Sequence, residues 1–182
     1  GTLPGNKKID IVSVFEAVGK YAKKEIDKKE LELIESKAIP GFGSCGGMYT
    51  ANTMASAATA LGMTLPESSS NLAESDEKLD DCESAGKAVM NLIEKNLCPK
   101  DILSFKSFEN AITVVMTLGG STNAVLHLLA LAKEAEIPLT LDDFKRLSKK
   151  IPVLADLKPS GRYSFADFIY RGGLPPFMKM LL

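Results

Sequence analysis

Apolar residues between Asp10 and Ile26 fall at Ile11, Val14, Phe15, Val18 and Ala22, with lysines on the opposite side, which is helix period. Asp27 opens a second, charged helix in which Leu31, Leu33 and Ile34 stand among Glu and Lys. The alternating signs from Lys20 to Glu35 predict solvated helix faces. Between Ile39 and Gly47, Pro40, Gly41, Gly43, Gly46 and Gly47 forbid regular helix. The Ala- and Met-rich stretch Met48 to Leu61 predicts a buried helix of small side chains, and Thr64 to Ser75 a loop. Helix period returns from Asp76 to Asn96 through Leu79, Cys82, Val89, Leu92 and Ile93. Pro99 starts a short helix, and Ser107 to Leu118 forms another with Phe108, Ile112, Val115 and Met116 as core candidates. Gly119-Gly120 ends it, and Ser121 is placed to cap a helix running to Ala135. Thr140 to Asp143 and Ser164 to Asp167 have the spacing of capping boxes, with Asp in the usual place of Glu. Val153 to Leu157 is the one strand candidate. Residues 1–182 therefore read as a single helix-dominated unit with few short strands and no internal repeat.

At 182 residues, about 70% of the unfolded surface can be buried, enough for a hydrophobic core. Apolar residues at 45% and charged residues at 25% are ordinary globular proportions. Lys plus Arg (22) nearly cancels Asp plus Glu (23), so no basic field exists to attract a phosphate backbone, and no nucleic-acid partner is expected. Three cysteines are too few for a disulfide scaffold and fit a reducing compartment. No stretch approaches the ~20 apolar residues that span a bilayer, so no membrane partner is expected. The chain begins with Gly and ends in an apolar run, Met178 to Leu182, and is expected to be a piece of a longer protein.

Chemistry concentrates in Pro40-Gly-Phe-Gly-Ser-Cys-Gly-Gly-Met-Tyr-Thr-Ala-Asn-Thr-Met54. Glycines flanking Cys45 let backbone N–H groups approach its sulfur, and a helix starting just afterwards offers a partial positive charge. An anionic sulfur held there serves as metal ligand or as nucleophile; the alternative is a buried thiol beside a tight turn. Cys82 and Cys98 build no local metal site with it, because no Cys-x-x-Cys pair exists. Cys82 lies on the apolar side of its helix and reads as a packed thiol, and Cys98, before Pro99, as structural. Gly119-Gly-Ser-Thr-Asn123 is either an anion-binding helix start or an ordinary helix–turn–helix, and it lacks the Lys of a nucleotide loop. His127, among leucines, reads as a core histidine. Lys158-Pro-Ser-Gly-Arg162 is a two-cation turn, solvated or facing an anion.

The run Gly43-Ser-Cys-Gly-Gly-Met-Tyr-Thr-Ala-Asn-Thr-Met-Ala-Ser-Ala57 resembles the cluster-binding motif of the dihydroxy-acid dehydratase family. The resemblance continues through Ala60-Leu-Gly-Met-Thr-Leu-Pro66, Ser68-Ser-Ser-Asn71, Phe108 to Met116, Leu118 to Leu128 and Leu154 to Gly161. It implies an α/β parent domain of which this chain is a mostly helical part of the N-terminal portion. It implies a non-redox elimination that turns a 2,3-dihydroxy-3-methyl acid into a 2-oxo acid on the way to valine and isoleucine. An iron–sulfur cluster, 2Fe-2S or 4Fe-4S, would act as Lewis acid on the C3 hydroxyl, with Mg2+ holding the substrate's carboxylate and C2 oxygen. Cys45 matches the last of three cluster cysteines, while the other two, the Mg2+ ligands and the catalytic serine would lie outside this chain. No catalytic residue is therefore expected within it. Ser121, Thr122 and Asn123 are candidates for substrate binding. Many relatives carry Cys where this chain has Ile39, a position outside the three ligands.

The resemblance also implies a homodimer of the full-length protein, in the bacterial cytoplasm or in a eukaryotic plastid or mitochondrion. Two rival readings are a sugar-acid dehydratase of the same architecture and a non-enzymatic helical interaction module.

Overall fold

A computed structural model describes residues 1–182, which divide into two compact units, Gly1–Gly46 and Gly47–Leu182. The sequence pattern marks no boundary at Gly46. The packing does.

The first unit opens with a two-stranded antiparallel hairpin, β1 (Thr2–Leu3) and β2 (Lys7–Lys8), in which Thr2 pairs with Lys8 and Leu3 with Lys7. Its turn needs left-handed backbone at Gly5 and Asn6, residue types that tolerate it. Helix α1 (Ile11–Ala22) starts where Asp10 accepts from the backbone N–H groups of Val12 and Ser13. Helix α2 (Lys28–Ala38) starts at Asp27, which accepts from Glu30 N. These helices lie where the apolar period and the two aspartates put them. Their core is thin, for only Ile9, Ala17 and Ala38 are buried. Phe15 and Val18, expected to face inward, are exposed. A unit of this length has too little chain to cover its own apolar stripe.

The second unit holds the main core. It comprises α3 (Thr50–Ala60), a 3-10 turn at Ser68–Ser70, α4 (Asp76–Glu94), α5 (Pro99–Ile102), α6 (Phe105–Thr117) and α7 (Asn123–Glu134). Helices α8 (Leu141–Ser148), α9 (Phe165–Ile169) and α10 (Leu174–Met180) complete it. Helix α6 is central, packing against α3, α7 and α8. It buries Phe108, Ala111, Ile112 and Val114, while Val115 and Met116 pack against the same core from its margin. Met48, Leu118, Leu128 and Leu174 close the centre, and Phe168 sits between the rings of Phe165 and Phe177. Both expected capping boxes form: Thr140 N and Oγ1 donate to Asp143, and Ser164 N and Oγ donate to Asp167.

Four expectations change. Val153 to Leu157 is not a strand; Leu154 N and Ala155 N both donate to Thr117 O, and only an isolated bridge joins Leu157 to Tyr163. An apolar run becomes a strand only beside another, and no other strand of this unit exists to pair with it. On α4 no residue is fully buried, so the stripe through Leu79, Cys82, Val89 and Ile93 faces outward. Cys82 is accordingly an exposed thiol and not a packed one. His127 is likewise exposed, because α7 buries the side carrying Ala124, Leu128 and Ala132. No helix is long and apolar enough to cross a membrane.

Candidate functional site

Cys45 lies in the irregular segment between α2 and α3, where Gly41 and Gly43 take left-handed backbone that a side chain would strain. Its thiol is half-buried and none of the three cysteines is in a disulfide. The helix expected from Met48 begins at Thr50, with Tyr49 at its cap. Gly47 is required there, since a Cβ on it would collide with the Tyr49 ring. Asn52 Nδ2 donates to Gly47 O at 2.7 Å, and Met48 N donates to Lys158 O at 2.6 Å, so the chain entering α3 is pinned.

The Gly119–Asn123 turn is tied to the same helix. Ser121 N donates to Thr53 Oγ1 at 2.9 Å, and Asn123 Nδ2 donates to Thr50 Oγ1 at 2.7 Å. Gly119 takes left-handed backbone to leave α6, and at Gly120 a Cβ would stand 2.9 Å from Thr53 Cγ2. Two segments 68 residues apart thus meet through short polar side chains and a missing Cβ. Ser121 does serve the start of α7, its Oγ accepting from Asn123 N at 3.2 Å, although the cap position itself falls to Thr122. Thr122 is exposed and makes no side-chain bond to the helix. Beside this turn lies a cavity of about 320 Å³. Ser121 and Thr122 form one wall, and Ile112, Met116, Phe144 and Val153 line much of the rest. No cation lines it, so an anion entering there would meet only hydroxyls and backbone N–H groups.

Thr50 and Thr53 were not singled out by sequence pattern. Thr53, with Asn52 and Ser56, gives α3 a polar buried side, and Thr50 stands half-buried one turn before it. That density of hydroxyl and amide groups on an alanine-rich helix is the signal that could have found them.

The remaining charged candidates are accounted for locally. Arg162 Nε donates to Asp156, holding that carboxyl below its ordinary range, and the Arg162 guanidinium also stacks 5.4 Å from the Tyr163 ring. The two-cation turn is therefore half-neutralised from within. Cys98 donates its thiol proton to Asp101 and starts α5, a structural role as expected.

No group of three His, Cys, Asp or Glu side chains is arranged to hold a metal ion. One half-buried sulfur in a glycine-rich loop fits a single ligand of a cluster, and does not fit a whole site.

Against this geometry, a family model for the dihydroxy-acid/6-phosphogluconate dehydratase N-terminal region matches residues 1–182. The chain belongs to that family. Among curated relatives, the dihydroxy-acid dehydratase of Methylococcus capsulatus is 62% identical over 183 residues, covering 99% of this chain and 33% of its own length. That of Oceanobacillus iheyensis is 61% identical over 185 residues, and that of Vesicomyosocius okutanii 59% over 183, each covering 100% of this chain and 33% of its own. The chain spans about a third of the length of these relatives.

Proposed function

We propose that this chain is the part of a dihydroxy-acid dehydratase that supplies Cys45 as one thiolate ligand of an iron–sulfur cluster. The full-length protein would convert 2,3-dihydroxy-3-methyl carboxylic acids to 2-oxo acids in valine and isoleucine synthesis. The observation that carries the reading is Cys45 itself, a half-buried thiol in a loop that left-handed glycines shape, within a chain matched to the family from end to end. The relatives named dihydroxy-acid dehydratase favour the amino-acid substrate over a sugar acid.

Within this chain the residues bind and position. Cys45 donates its sulfur, and small neighbours leave room for N–H groups that tune it. Ser121, Thr122 and Asn123 present hydroxyl and amide groups for substrate oxygens, at a turn that Thr50 and Thr53 hold in place. When bound, the cluster supplies a Lewis acid for the departing hydroxyl; either 2Fe-2S or 4Fe-4S suits a three-cysteine set. The other two cysteines, the Mg2+ ligands and the base would come from the rest of the polypeptide. Residues 1–182 alone are therefore expected to be inactive. The compartment would be the bacterial cytoplasm, or a plastid or mitochondrion.

The test is Cys45→Ser in full-length protein prepared without oxygen, with iron content and visible absorption measured beside turnover of 2,3-dihydroxy-3-methylbutanoate. Loss of cluster absorbance and of turnover is expected. An unchanged spectrum would overturn the ligand assignment, and turnover by residues 1–182 alone would overturn the division of labour. Growth rescue of a strain requiring valine and isoleucine separates the amino-acid enzyme from a sugar-acid enzyme.

A further inference from the structure

The second unit holds another cavity, of about 350 Å³, lined by the loop 154–163 together with α9 and α10. Leu154, Leu157, Phe168, Phe177 and Met180 give it apolar walls. Unlike the cavity beside Ser121, it carries charge, from Asp156, Asp167 and Arg171. Small-molecule pockets run from about 300 to 1,000 Å³, mostly apolar with a few placed polar groups, so this one suits a small ligand.

Its charged groups differ in what they already hold. The Tyr163 ring has the Arg162 guanidinium 5.4 Å from its centre and the Arg171 guanidinium at 5.5 Å. Arg162 has a carboxylate, for its N and Nε both donate to Asp156. Arg171 has none: its Nη1 donates to the backbone oxygen of Asp167 at 2.9 Å, and no acidic side chain pairs with it. A guanidinium offers five N–H donors in a planar fork shaped for a carboxylate. The Tyr163 ring and the Asp167 carbonyl hold that fork before any ligand arrives, which lowers the entropy cost of binding. The Asp156 side chain, although paired with Arg162, is still 39% exposed. A carboxylate has about four lone-pair sites, so it accepts further donors.

We infer that this cavity binds a small aliphatic α-amino acid. Its carboxylate meets Arg171, its ammonium faces Asp156, and its hydrocarbon lies against Leu157, Phe168 and Phe177. The charges on the lining select a dipolar ion. A plain carboxylic acid or a phosphate would add negative charge to a wall that already has two carboxylates and one guanidinium. An amine would leave Arg171 unmatched. The apolar walls select the side chain, since a polar one would lose its hydrogen bonds to water there. This inference goes beyond the dehydratase reading and does not rest on it, because no part of it uses Cys45.

Isothermal titration calorimetry of the full-length protein with L-valine tests it. Valine is expected to bind. Isovalerate and isobutylamine, which each keep one of its two charges, and glycine, which lacks the hydrocarbon, are expected to bind at least tenfold more weakly. Arg171→Gln removes the fork and should weaken valine at least tenfold. Met180→Glu, at a position 69% exposed, sets a further carboxylate beside the ligand's own and should weaken it by a similar factor. Both positions are exposed, so circular dichroism should be unchanged in either variant.

Three outcomes each overturn the proposal: no binding of valine at millimolar concentration, isovalerate or isobutylamine binding as tightly as valine, and full valine affinity in Arg171→Gln. Should one variant lose its fold, the other variant and the analogue series on the wild type decide.

Discussion

Thr53 and Ser56 lie one turn apart on α3, with 1% and 0% exposure, yet their hydroxyls are predicted to act oppositely on stability. Thr53 Oγ1 accepts from Ser121 N at 2.9 Å, and its Cγ2 packs where a side chain on Gly120 would otherwise go. Thr53→Val keeps the shape and the methyl contact but leaves the Ser121 N–H facing a methyl group. An N–H stranded in that way costs about 1–3 kcal/mol. Thr53→Ser keeps the acceptor and gives up one methyl, roughly 0.8 kcal/mol. The Ser56 hydroxyl is buried with no hydrogen-bond partner, so Ser56→Ala removes a dehydrated polar atom and should be neutral or stabilising by about 1 kcal/mol. With no tryptophan in the chain, urea unfolding is followed by far-ultraviolet circular dichroism. The midpoint should fall for Thr53→Val at constant slope and hold or rise for Ser56→Ala. Hydrogen exchange supplies a site-specific reading, with the Ser121 amide exchanging faster in Thr53→Val alone. A wild-type midpoint for Thr53→Val, or a Ser56→Ala protein destabilised by as much as Thr53→Val, would refute these opposite roles.

Three further outcomes follow from packing and charge. At Gly161 a Cβ would run into the Asp156 and Leu157 backbone, so Gly161→Ala should lose at least 2 kcal/mol, near the upper end of overpacking, in the same urea assay. At Gly120 a Cβ would meet Thr53 Cγ2 at 2.9 Å and both Cγ1 and the backbone carbonyl oxygen of Val115 at 3.0 Å, so Gly120→Ala should cost about 1–3 kcal/mol. Asp81 has a side chain only 8% exposed; burial alone raises its pKa, but the bonds from Lys78 and Ser68 outweigh that and hold it below the ordinary carboxylate value. A lowered folded pKa means stability that is present above about pH 4 and lost as pH falls through the folded value. Wild type should therefore exceed Asp81→Asn in thermal midpoint at pH 7, and the gap should close on acidification.

Local physics was legible at most helix starts where a side chain acts on its own backbone. Asp10, Asp27, Ser75 and Ser164 each accept from an N–H of the helix they start, at the boundary the sequence pattern gives, whereas the helix read from Ser107 begins at Phe105, behind the cap Ser104. The glycines around Cys45 were legible for the same reason, as was the break at Gly119. What sequence missed depends on partners. Val153 to Leu157 has the composition of a strand, but composition does not supply the neighbour that a ladder needs, and the Thr117 carbonyl took its N–H groups instead. The tie between Thr53 and Ser121 spans 68 residues and rests on one hydroxyl, a signal no periodicity carries.

His127, Cys82 and Phe15 share a single cause of misplacement. Periodicity identifies which residues of a helix lie on one side, but not which side the rest of the protein covers. On α7 the choice was settled by alanines: Ala124 and Ala132, with Leu128 between them, let the helix sit close to the core and turned His127 outward. On α4 the side carrying Asp81, Ala85, Ala88 and Leu92 went against its own unit, leaving Leu79, Val89 and Ile93 outside. An exposed stripe of this size on one helix is left for another surface. The same logic applies to the α1 face with Val12, Phe15 and Val18, in a unit whose core is three residues deep. An apolar stripe read from sequence is thus a statement that something covers those residues, and in a chain a third the length of its relatives the cover need not lie within the chain itself.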